Sequence, residues 1–99
     1  MRLRLAGDFN GLFSDFLCLS HEETCLTTEG QRVEVAEGML AVALEPDTDE
    51  DGSPSELFAT GTIERAPDWL ACRGSRWVLR LDPEGARWRP PTASASYEE

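Results

Sequence analysis

Nowhere in this chain do apolar residues keep helical spacing beyond about two turns, whereas short alternating segments bounded by turn signals recur along most of its length. The clearest lies at residues 76–82, where Trp77, Leu79 and Leu81 fall on one side of an extended chain and Arg76, Arg80 and Asp82 on the other. Successive side chains of a strand project to opposite faces, so this pattern predicts a strand with one face in a core. Arg2-Leu3-Arg4-Leu5 reads the same way, with both leucines inward and both arginines in water.

Between these two segments the punctuation is dense. Asn10-Gly11 is hairpin-turn chemistry, because both residues accept positive φ at low cost. Residues 12–19 fit either a strand or a helix by spacing, and the β-rich neighbourhood favours a strand. Residues 32–35 and 39–44 flank Glu37-Gly38 and read as a hairpin, with Leu40, Val42 and Leu44 sharing a face. A polar stretch at residues 45–56 precedes a strand at 57–63, inside which Gly61 signals a bulge or a close backbone approach. Residues 66–72 make the best helical turn, with Pro67 in its first turn. Asp82-Pro83-Glu84-Gly85 is a turn leading to a last strand at 86–89. The expectation is a mainly β fold, a small barrel or sandwich of SH3-like or OB-like kind, with five to seven short strands and one short helical turn. Residues 1–89 form its single domain and 90–99 a disordered tail.

Charge narrows the partners. Nineteen acidic residues against nine basic ones, all nine of them Arg, give a net charge of −10. Such a field repels phosphate backbones, which argues against nucleic acid. No apolar run approaches membrane-spanning length, and the N-terminus lacks the apolar stretch of a secretion signal, so no membrane partner and a cytoplasmic location are expected. Three cysteines in such a chain point to reduced thiols.

Two groupings have metal-ligand spacing. Asp47-Thr48-Asp49-Glu50-Asp51-Gly52 places carboxylates at positions 1, 3 and 5 of a calcium loop and glycine at 6, with the Ser53 carbonyl available at 7. Phe58 stands where the closing bidentate Glu belongs, so the motif supports only a weak Ca²⁺ site, and an acidic hairpin tip explains the same residues. Cys18, His21, Cys25 and Cys72 supply the three thiols and one imidazole of a tetrahedral zinc site, although Cys72 has no partner nearby in sequence. Cys25 with His21 lacks the third, orienting group that thiol catalysis requires. No phosphate-binding loop occurs.

The remaining signal is a change of character along the chain. Residues 7–65 carry 14 acids and 2 arginines, while residues 66–89 carry 5 arginines and 3 acids together with Trp69, Trp77 and Trp88. Arg and Trp dominate interface hot spots, so Arg76, Arg80, Arg87, Trp88 and Arg89 are candidate partner-binding residues. The competing explanation is that the arginines pair with acids of their own domain. With no catalytic motif, the expected function is a small acidic non-enzymatic module that docks a protein partner, with a metal-binding domain as the alternative.

Overall fold

A computed structural model describes residues 2–69, 75–91 and 97–98. It is mainly β, as the alternation requires. The strands are β1 (Arg2–Ala6), β2 (Leu12–Phe13), β3 (Phe16–Ser20), β4 (Thr24–Leu26), β5 (Arg32–Glu34), β6 (Leu40–Thr48), β7 (Pro54–Arg65), β8 (Trp77–Leu81), β9 (Arg87–Arg89) and β10 (Tyr97–Glu98). The only helical element among the described residues is a 3₁₀ turn at Phe9–Gly11, where the Asp8 side chain accepts from the Asn10 amide. It stands where Asn10-Gly11 suggested a hairpin turn. Residues 66–69 are not helical, and the rest of that expected helical turn lies outside the described residues.

Eight strands form one mixed sheet in the order β10-β1-β6-β7-β8-β3-β2, with β9 added to β7, while β4 and β5 form a separate hairpin. The sheet is open rather than closed into a barrel, and it holds more strands than the turn spacing predicts. Its centre is the β6–β7 hairpin, which runs in unbroken register from Leu40↔Thr62 to Thr48↔Pro54. Most of the polar stretch at 45–56 is therefore strand, and only residues 49–53 form the tip. Asp49 N–H donates to the Ser53 carbonyl across it, and Gly52 takes the φ of +87° that the turn requires.

The expected hairpin between residues 32–35 and 39–44 is not formed. β5 pairs with β4, and β6 pairs with β7 on one edge and in parallel with β1 on the other. Glu37-Gly38 does turn the chain, but the turn delivers β6 to a different neighbour. β8 and β9 both pair with β7 rather than with each other, so residues 77–89 act as one interrupted strand along it. Two residues of the expected tail, Tyr97–Glu98, pair with β1.

Leu3, Leu5, Leu17, Ile63, Trp77 and Leu79 fill the core on one side of the sheet, as alternation predicts for β1 and β8. β6 contributes Ala41 and Ala43 to this side, both fully buried. Val42 and Leu44 pack with Phe58 on the other side, and Leu40 is exposed. At Gly61 β7 runs so close to β8 that an added Cβ would stand 2.0 Å from the Arg80 carbonyl oxygen. The close backbone approach suggested by the sequence is real. No helix among the described residues is long and apolar enough to cross a membrane.

Candidate functional site

The arginines of the expected patch are all engaged within the domain. Arg76 pairs with Glu23 at 2.6 Å, Arg80 with Glu64 at 2.8 Å, Arg87 with Glu84, and Arg89 with Glu56 at 2.5 Å. Three of them also lie on aromatic rings. Arg80 sits over Phe16 at 5.0 Å, and Arg87 and Arg89 cover Phe58 at 4.6 and 4.2 Å. Each guanidinium is thus matched by a carboxylate of the same domain, while the Arg76 and Arg80 side chains stay more than half exposed.

Nor do the five residues make one surface. The register Glu56↔Arg89, Leu57↔Trp88 and Phe58↔Arg87 puts both arginines on the Phe58 face and Trp88 on the opposite one. Arg76 is elsewhere again, in a cluster where Glu23 binds both Arg76 and Arg65, and where Arg65 in turn lies 4.1 Å above the Trp77 ring. The Arg76 hydrogen bond, assisted by Arg65, holds the Glu23 carboxyl below its ordinary range.

Trp88 is different. It is 63% exposed, yet its indole Nε1 reaches across β7 to donate a 2.8 Å hydrogen bond to Asp47 on β6. A large ring is thereby held in one orientation in solvent. That bond, with a backbone bond from Thr48, lowers the Asp47 pKa, and Ser53 lowers that of Asp51 chiefly through its backbone N–H. Trp88, Leu57 and Asp47 therefore share one face of a three-stranded arm made by the distal halves of β6 and β7 with β9. At its tip Asp49, Glu50 and Asp51 are exposed.

The calcium-loop residues are accordingly arranged as a hairpin tip. Asp47 faces Trp88, Asp51 accepts from Ser53 N–H at 2.9 Å, and the Ser53 carbonyl is taken by Asp49 N–H. Among the described residues no three His, Cys, Asp or Glu side chains gather as a metal centre needs. Of the zinc candidates, Cys18 is disulfide-bonded, which departs from the expectation of reduced thiols and leaves it no thiolate to offer. Cys25 is free and buried in the core, where desolvation pushes its thiol up to about 11. It is neutral at pH 7, and behaves there as a small apolar residue. His21 is exposed, and Cys72 lies outside the described residues.

A cavity of about 370 Å³ occurs where the end of β1 meets the arm. Leu44, Pro46, Pro54 and Pro91 provide its apolar wall. Arg4, Ser55 and Glu56, all less than 10% exposed, also line it, as does Asp47. Alternation places Arg4 on the face opposite Leu3 and Leu5, but that face is covered here, so Arg4 is buried rather than in water. Sequence reasoning missed Arg4, Ser55 and Glu56 because their burial follows from the pairing of β1, β6, β7 and β9. The one available signal is that Glu56 and Phe58 alternate in step with Arg87 and Arg89 once the register is known. Comparison of the chain with protein-family models, curated proteins and solved structures finds no match.

Proposed function

We propose that the protein is a non-enzymatic docking module whose β6–β7–β9 arm engages a basic surface on a protein partner. The observation that carries this reading is Trp88, an exposed indole oriented by Asp47 on an arm whose tip carries Asp49, Glu50 and Asp51. Interfaces concentrate their energy in a few aromatic or Arg anchors, and an anchor already oriented before binding loses less entropy on association. Residues 45–56 carry six acids and no basic residue, so the arm extends a negative potential toward a cationic partner and raises its association rate. Arg87 and Arg89 lie over Phe58, and Arg89 pairs with Glu56, interactions that tie β9 to β7 within the arm.

Affinity capture with wild type, Trp88→Ala and the triple variant Asp49→Asn, Glu50→Gln, Asp51→Asn tests this. The expected result is a partner held by wild type, lost from Trp88→Ala, and bound more slowly by the triple variant, with a salt dependence that the triple variant flattens. Equal recovery by all three proteins refutes the docking arm.

A further inference from the structure

We infer that the outer face of the Trp88 indole, with Asp47 at its edge, is a stacking site for an arginine side chain of the basic partner; this rests on the docking reading and names the residue that meets its anchor. The molecule itself repeats the arrangement. Arg65 lies over Trp77 and pairs with Glu23, Arg80 lies over Phe16 and pairs with Glu64, and Arg87 and Arg89 lie over Phe58 and pair with Glu84 and Glu56. Each of these guanidinium groups has a ring face beneath it and a carboxylate beside it, an arrangement that suits its flat, forked set of donors better than the compact ammonium of lysine. Trp88 has the ring and the carboxylate, and no guanidinium of the described residues lies over it.

The arm keeps that place open. The β7–β9 register puts Arg87 and Arg89 on the face opposite Trp88, so the arginines nearest in sequence do not cover it. Trp88 stands on β9 and Asp47 on β6, with β7 between them, a span of about 10 Å at two strand spacings. An indole that bridges this span lies along the sheet rather than upright, with one ring face over β7 and the other toward solvent, in keeping with its 63% exposure. Asp47 is itself exposed, and the Trp88 and Thr48 N–H groups account for two of the about four donors that a carboxylate accepts. The six acids of residues 45–56, with no basic residue among them, favour a cationic occupant over an anionic one.

The test is an NMR titration of the full chain, ¹⁵N-labelled and at constant ionic strength, with capped peptides acetyl-(Gly-Xaa)₃-amide in which Xaa is arginine, lysine or citrulline, the neutral isostere of arginine. The readout is the Trp88 indole N–H signal, identified by its loss in Trp88→Phe. Arginine is expected to shift it, with lysine about three- to fivefold weaker and citrulline without effect, the range set by an exposed contact between a cation and a ring. Asp47→Asn, which keeps an acceptor for the indole N–H and removes the charge, should weaken arginine several-fold. Equal binding of lysine and arginine overturns the inference, because charge alone then accounts for it, and so does arginine binding that moves only residues 49–53. Both results come from wild type, so a misfolded variant does not blur them. If Trp88→Ala abolishes partner capture while the arginine and lysine peptides bind equally, the docking arm stands and the arginine site falls. If the arginine peptide moves the indole selectively but capture is unaffected by Trp88→Ala, the arginine site stands and the docking arm falls.

Discussion

The two halves of the β6–β7 hairpin belong to one continuous ladder yet live in different surroundings. The half nearer the core has β1 along one edge and β8 along the other, and Ala41, Val42 and Ala43 are fully buried. The distal half has β9 at residues 56–58 of one edge, no partner on β6 beyond Leu44 among the described strands, and exposed side chains from Pro46 to Pro54. Packing on both faces makes the first half the source of stability. The second is free to carry charge and an exposed ring, because few core contacts depend on which residues stand there. A ladder anchored at one end lets a small protein extend a charged hairpin without a second core.

The sharpest way to break this comparison is Gly61→Val, at the tightest point of the anchored half. Its Cβ would collide with the Arg80 backbone, which has no side-chain freedom to move aside. A loss of more than about 3 kcal/mol is expected by urea unfolding, a large share of the stability of a domain this small. Next is Glu56→Gln, at the junction of the two halves, which leaves the nearly buried Arg89 guanidinium without its ion-pair partner. That should cost about 2 kcal/mol and loosen β9, read as faster amide exchange at residues 87–89. Trp88→Ala in the distal half should change stability by less than about 1 kcal/mol while removing partner binding. If Trp88→Ala destabilises as much as Gly61→Val, the arm is part of the core and the division is false.

The smallest effect concerns acid. Glu23 on the body has a lowered pKa in the folded state, so its contribution to stability is complete above the ordinary carboxylate range and is lost as pH falls through its folded value. Glu23→Gln should lower stability slightly at pH 7 and above, leave it unchanged at low pH where Glu23 is already protonated, and so flatten that part of the acid limb, as pH-dependent melting would show. Because both partners of the Arg76 pair are about half exposed, the change will be slight and will shrink further in salt.

Trp77, Leu79 and Leu81 announced a core strand, and Gly61 a close approach, because both signals are local: one is the period of a pleated chain, the other the absence of a Cβ. The hairpin tip was legible for the same reason, since Asp-Gly and Ser-Pro chemistry turns a chain wherever it lies. Of the candidate site, residue type was legible and placement was not: Trp88 stood out as a large ring, but that Arg87 and Arg89 lie over Phe58 on the opposite face depends on the β7–β9 register. Arg4 looked solvated and is buried.

What the amino-acid sequence determined by itself is therefore the extended character of the chain, the positions of its turns and the segregation of its charge, each set by residues within a few positions of one another. Which strands are neighbours was decided only in three dimensions. β6 joins β1 in parallel across more than thirty residues rather than the nearer β5, and β9 reaches back to Glu56, Leu57 and Phe58. Strand alternation is the same whichever partner lies alongside, so only the packing of Ala41 and Ala43 beneath the leucines, and of Phe58 between two guanidinium groups, selects the pairing that builds the arm and its cavity.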